Sequence, residues 1–147
     1  MPRVETSTPA GTPTPIGPYS HIARVDRSIT IGGTAGVDPD TNLLVGPDVA
    51  AQTRRIIETF QVMLASEDSD LDHVVHVNVY LRSIGDFDAM NEAYAGAFGE
   101  HRPARTVVGV ADLPKPGTLV TMSLTATVAD RPAIRPTSLS DIPVNRP

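Results

Sequence analysis

The sequence predicts an α+β fold, one sheet with two helices laid on a single face. Three observations predict it. "HVVHVNVYLRS" (73–83) and "GTLVTMSLTATV" (117–128) alternate apolar and polar residues with the period of a strand. Two segments that begin at Asp48 and Asp86 carry apolar residues at helical spacing. The order of elements is β-β-(short β)-α-β-α-β-β, which interleaves strands and helices within one layer pair.

The first strands are "HIARV" (21–25) and "SITIGG" (28–33), joined by Asp26–Arg27, a connection that suits a tight hairpin. "DPDTN" (38–42) is a turn by composition, and "LLV" (43–45) reads as a short strand. Asp48 is placed to cap a helix that runs to about Ser66, with Ile56, Ile57, Phe60 and Leu64 on one face. In the next strand Val75, Val77, Val79 and Leu81 point one way, and His76, Asn78, Tyr80 and Arg82 the other. Asp86 caps a second helix whose stripe is Phe87, Met90, Tyr94 and Phe98, and Gly99 ends it. A strand over 105–111 reads as buried, although it opens on Arg105. The last strand sets Val120, Met122, Leu124 and Ala126 against Thr121, Ser123, Thr125 and Thr127. The Pro-rich ends, 1–15 and 130–147, read as tails that resist helix and sheet pairing, which leaves 16–129 as the folded domain.

The valine faces account for the helices. The opposite sheet face carries His76, Asn78, Tyr80, Thr121, Ser123 and Thr125, a semi-polar surface of the kind on which a second copy of a chain packs. A homo-oligomer is therefore expected. The chain's 147 residues suffice for one core, and a net charge of -5 counts against a nucleic-acid partner. With no cysteine, disulfides, a thiolate nucleophile and cysteine-ligated zinc are excluded. No apolar run approaches the roughly 20 residues a membrane helix needs, and the N-terminus has no signal-peptide core, so a cytoplasmic protein is expected.

Few residues offer chemistry. His73 and His76 fall on opposite strand faces and cannot share a metal, so no metal site is expected. His21 and His101, near strand mouths, read as surface residues. "GGTAG" (32–36) runs into a turn rather than a helix, which excludes a dinucleotide loop and leaves close backbone approach as the use of its glycines. Ser20, in "GPYS", is no nucleophile elbow. Tyr19 is either a rim aromatic or a cap over a pocket, and Asn91 stands at the edge of the second helix's stripe. Arg105 stands apart. Its planar fork suits a carboxylate, and the strand residues expected beside it, Thr121 and Ser123, are neutral. Its expected partner is a small carboxylate from outside the chain.

Together "IGPYS" (16–20), "ITIGGTAGVDPDT" (29–41), "AAQTRRIIETFQVML" (50–64), "FDAMNEAYAGAFGEHRPARTVV" (87–108) and "LPKPGTLV" (113–120) closely resemble the Rid family. These are the reactive-intermediate deaminases, also called YjgF-like and once described as endoribonucleases. The resemblance implies a chorismate-mutase-like α+β layer assembled as a homotrimer, with clefts between subunits. It also implies cofactor-free hydrolysis of enamines and imines of the 2-aminoacrylate type to 2-keto acids and ammonia. Carried onto this sequence, the carboxylate-gripping arginine is Arg105, the cleft tyrosine Tyr19, the second-helix asparagine Asn91, and the glycine whose backbone lies near the ligand Gly33.

The departures are specific. The family's last-strand glutamate, in a "VEIE"-like run, is Thr121 here in "VTMS", and the second acid is Ser123. The serine ahead of the glycine is Gly32, and the cysteine after "PARS" is Val107. Threonine cannot serve as a general base near neutral pH, a loss that typically costs about 10²–10⁴ in rate. The leading expectation is still hydrolysis of a small 2-imino acid, with Arg105 on the carboxylate, Gly33 and Thr121 around water or the imine nitrogen, and Tyr19 closing the cleft from a neighbouring subunit. The alternatives are a Rid-like enzyme for a larger metabolite and a non-catalytic carboxylate-binding trimer.

Overall fold

Six strands form one sheet in the order β1-β2-β3-β6-β4-β5, in a computed structural model that describes residues 2–130. The expected C-terminal tail, apart from Asp130, lies outside the described residues. The strands are β1 (Glu5–Ser7), β2 (Ile22–Val25), β3 (Ser28–Ala35), β4 (Val74–Leu81), β5 (Ala104–Gly109) and β6 (Val120–Thr127). Two helices, α1 (Val49–Ser66) and α2 (Phe87–Phe98), cover one face of the sheet. All neighbouring strands are antiparallel except β4 and β5, which run parallel because the chain crosses through α2 between them.

The alternation fixes which side chains enter the core. Ile22, Ile29, Ile31, Val77, Val79, Leu81, Val120, Met122 and Leu124 are buried against Ile56, Ile57, Phe60, Met63 and Leu64 of α1 and Met90, Tyr94 and Phe98 of α2. Asp48 caps α1 as expected, its Oδ1 accepting from Ala51 N–H at 2.6 Å. The Asp26–Arg27 hairpin forms, with Asp26 at φ 50. Gly99 ends α2 at φ 71, a conformation that favours glycine. Among the described residues no helix is long and apolar enough to cross a membrane.

Six expectations are corrected. Asp86 stands at the start of α2 but its side chain makes no cap hydrogen bond, because a 3-10 turn over Ile84–Asp86 leads straight into the helix. Residues 5–7, expected in a tail, pair antiparallel with β2, Thr6 opposite Ala23; the prolines leave just enough room for a three-residue edge strand. Leu43–Val45 forms no strand, only a bridge between Leu44 and Val37. Val75 does not enter the core. A bulge between Val74 and His76 turns it out to 53% exposure, and Val74 is buried in its place. The strand at 105–111 is shorter and lies at the sheet edge, with Val108 40% exposed. Finally, β5 pairs with β4 rather than β6, so Arg105 lies beside Val77 and not beside Thr121 or Ser123.

One buried side chain ties the layers together. Gln52, on α1 and fully buried, donates from Nε2 to the carbonyls of Gly46 (2.9 Å) and Gly117 (3.2 Å) and accepts at Oε1 from Leu119 N–H (2.8 Å). It thereby holds the loop that leads into β6. Gly36 lets the helix come this close, since a Cβ there would lie 2.7 Å from Gln52 Cα and O.

A candidate active site in two halves

A bulge in β3 builds the first half. Ile31 pairs with Leu124 and Thr34 with Met122, so Gly32 and Gly33 together face the single residue Ser123. A Cβ on Gly33 would meet no atom within 4 Å, which leaves an open floor. Above it is a cavity of about 630 Å³, whose walls include Tyr19, Gly32, Gly33, Asn42, Lys115 and Thr121. Tyr19 is 47% exposed at its rim, and its hydroxyl accepts from Ile16 N–H at 3.1 Å, which holds the ring in an orientation edge-on to His21. His21 is buried rather than on the surface. Its Nε2 lies 2.5 Å from the Pro13 carbonyl, a geometry that requires the ring to donate there and commits it to structure. His101 is similarly occupied, Nε2 standing 2.8 Å from the Val74 carbonyl.

The second half lies on the other face of the sheet. Arg105 is in register with buried Val77, so its half-buried side chain points to the helix side. The guanidinium carbon sits 4.7 Å from the ring centroid of Tyr94 and 5.9 Å from that of Phe87. Phe87, Asn91 and Tyr94 follow at i, i+4 and i+7 along α2, which sets Asn91 between the two rings. Among the described residues no Asp or Glu oxygen lies within 4 Å of Arg105. Among the described residues Asn91 Oδ1 and the Tyr94 hydroxyl are both buried without a hydrogen-bond partner, in contrast to the usual satisfaction of such groups. Burial pushes the Tyr94 phenol up to about 12 from its ordinary value of 10.0, against the opposing pull of Arg105 and then Arg102.

Within one chain the halves do not meet. Thr121 pairs with Tyr80 on the polar face, and Tyr80 with Val108, three residues along β5 from Arg105. Strand spacing and rise put the Arg105 and Thr121 Cα atoms about 14 Å apart, with side chains on opposite faces. Tyr19, Gly33 and Thr121 thus line one cavity, Asn91 shares the face of α2 whose rings carry Arg105, and the two groups are separate. Sequence reasoning missed Tyr94 and Phe87 as the platform under Arg105, having read both as core. It also gave no role to Lys115, on the cavity wall. A tyrosine in an apolar stripe was the available signal, because its hydroxyl needs a partner when buried.

Fold and site define a class: a small α+β protein with two separate clusters of polar side chains, one lining a cavity on the polar sheet face and one around Arg105 on the helix side. Residues 10–128 match the family model described as Endoribonuclease L-PSP. The 2-iminobutanoate/2-iminopropanoate deaminase of Homo sapiens is 39% identical over 106 residues, 72% of this chain and 77% of that protein. The 3-aminoacrylate deaminase RutC of Acinetobacter baylyi is 35% identical over 128 residues, 87% of this chain and all of that one. The crystal structure of RidA from the Antarctic bacterium Psychrobacter sp. PAMC 21119 superposes with a TM-score of 0.79 at 31% identity, covering 84% of this chain and 99% of that chain. The chain belongs to this family, the Rid or YjgF-like proteins.

Proposed function

We propose that this protein hydrolyses small 2-imino acids to 2-keto acids and ammonia, without a cofactor, in clefts formed between copies of the chain in a homotrimer. The observation that carries the reading is the Arg105 guanidinium, held on two aromatic rings and left without a carboxylate among the described residues. A half-buried arginine so placed is a preorganised clamp for a substrate carboxylate. The names of the human and Acinetobacter relatives, both deaminases of small imino or enamine acids, support the same chemistry.

Separation of the half-sites supports the oligomer. Arg105 of one copy, with Asn91 beside it, faces the cavity floored by Gly33 in the next. The polar sheet face, with half-buried His76, Asn78, Tyr80, Thr121 and Ser123 and exposed Val25 and Val108, supplies the surface on which copies meet. The imine is hydrolysed by addition of water to its carbon, which gives a carbinolamine. That intermediate collapses to the carbonyl and expels ammonia, so one water is consumed for each ammonia released. Arg105 orients the acid and favours the electron-poor imine carbon. The Thr121 hydroxyl and bulge carbonyls hold the water, and Tyr19 covers the cleft. Thr121 positions the water without taking its proton, which suffices because a protonated imine is strongly electrophilic.

The test is a mixing experiment on freshly generated 2-aminoacrylate. Arg105→Ala removes the clamp, and Gly33→Leu fills the cavity from a position where a side chain meets no other atom. Each variant alone is expected to be inactive. Random co-assembly restores roughly one quarter of the wild-type rate, since half of the interfaces draw an intact clamp and half of those an intact cavity. Wild-type protein that adds nothing to the spontaneous rate refutes the activity. Variants that stay inactive when mixed refute the shared cleft.

A further inference from the structure

Lys115 has no part in the proposed hydrolysis, yet it lines the same cavity as Thr121, Gly33 and Tyr19. Its Nζ donates to the Asn42 carbonyl at 3.1 Å, which leaves two of its three donors for other partners. Among the described residues no Asp or Glu oxygen lies within 4 Å of it. Among the described residues no carboxylate lines the cavity: its polar wall includes Thr14, Ser20, Thr34, Asn42, Thr118 and Thr121, with His21 already committed to Pro13. Pro13, Ile16, Val37 and Pro114 add apolar surface between these groups. A volume of about 630 Å³ falls within the range of roughly 300–1,000 Å³ typical of pockets for much larger ligands than a three-carbon acid.

We infer that Lys115 is a specificity residue, and that the cavity takes 2-imino acids whose side chain ends in a second carboxylate. The inference rests on the hydrolase reading above, which supplies the first anion site at Arg105. The substrate's methylenes lie along Ile16, Val37 and the prolines. The distal acid meets the Lys115 ammonium, whose position the Asn42 carbonyl has already set. Thr121 matters here as a neutral wall, because an acidic side chain at that place would repel the incoming anion. A partly solvated cation facing one carboxylate makes a modest contribution, so the expected preference is about tenfold rather than thousandfold.

The test compares 2-oxobutanoate, a monocarboxylate, with 2-oxoglutarate, a dicarboxylate, by equilibrium calorimetry on the full-length protein. The dicarboxylate is expected to bind about tenfold more tightly, with the advantage shrinking as salt screens the pair. Lys115→Met collapses the ratio of the two affinities towards one, Lys115→Arg retains it, and Thr121→Glu abolishes it. Because both ligands are measured on the same variant, any disturbance of the Asn42 loop cancels in the ratio. Binding of 2-oxobutanoate without a preference for 2-oxoglutarate overturns the inference and leaves the hydrolase reading standing. A ratio that survives Lys115→Met does the same. If neither acid binds and Arg105→Ala changes nothing, the clamp itself is wrong and both readings fall.

Discussion

Tyr94 offers a measurement that reports on the Arg105 platform without any substrate. Its phenol titrates near 12 in the folded protein against an ordinary 10.0. Raised in the folded state, such a group leaves stability intact below pH 10, where both folded and unfolded chains keep the proton. Above pH 10 the unfolded chain releases its proton while the folded one retains it, so the slope of unfolding free energy with pH is negative. Two pH units of mismatch correspond to roughly 2–3 kcal/mol lost by pH 12. Tyr94 as a whole residue is 6% exposed, and screening at its hydroxyl makes this loss an upper figure. Urea unfolding at a series of pH values from 9 to 12 reads the loss directly. Phenolate absorbance supplies the second readout, because the chain has three tyrosines and the other two, Tyr19 and Tyr80, stand outside the buried stripe. Tyr94→Phe keeps the ring under Arg105 and is expected to remove both the late-titrating phenol and the matching part of the alkaline destabilisation. At neutral pH the same variant costs little, since the hydroxyl it deletes has no partner among the described residues. A late phase that persists in Tyr94→Phe, or a wild-type titration with no late-titrating phenol, would refute the reasoning.

Three further outcomes are expected. Gln52→Leu strands the Leu119 N–H and the carbonyls of Gly46 and Gly117, and should cost about 2–4 kcal/mol, read as a fall in urea midpoint at unchanged slope. Gly36→Ala drives a methyl against the Gln52 backbone and is expected to lower Tm by about 10 °C, whereas Gly33→Ala leaves Tm within about 2 °C. Asp48→Ala removes the cap of α1 and should cost about 1 kcal/mol, with Asp48→Asn recovering most of it in thermal melts.

The sheet was legible because its pattern is local. Alternation along 74–81 and 120–127 is enough to assign a face, and Asp48 and Gly99 mark helix ends through chemistry that needs no tertiary partner. What escaped depends on neighbours. "VVHV" holds two adjacent valines, and only the pairing with β6 decides that Val74 enters and Val75 bulges out. "RTVVG" is as apolar as an interior strand, yet nothing in it says that one side of its backbone lacks a neighbour. Glu5–Ser7 has no alternation to detect in three residues and is a strand because β2 offers an edge. Arg105, Tyr19, Gly33, Asn91 and Thr121 were named from the sequence. Their division into two groups follows from the strand order, which no single segment encodes. Phe87 and Tyr94 were hidden by their own pattern, since a ring under a guanidinium and a ring in a core have the same helical spacing.

That division also explains how Arg105 can stand on β5 without an ion-pair partner among the described residues. Side chains of a strand change faces at every residue, so Arg105 and Val107 must share the side that Val77 and Val79 occupy on β4. A one-residue slip would carry Arg105 to the polar face alongside Thr121, but it would also turn Val107 away from the core it packs against. The edge position resolves the conflict. At an interior strand the same orientation would bury the guanidinium completely under the helices, where an unpaired charge costs several kcal/mol. On the last strand the fork stays half-buried, its flat face on Tyr94 and Phe87 and its donor edge free of any carboxylate within 4 Å among the described residues. A lysine could not use this platform in the same way, having no planar face to stack and no paired donors to present. Parity, edge and platform together keep the cation half-exposed on the helix side of the sheet and away from the cavity of its own chain.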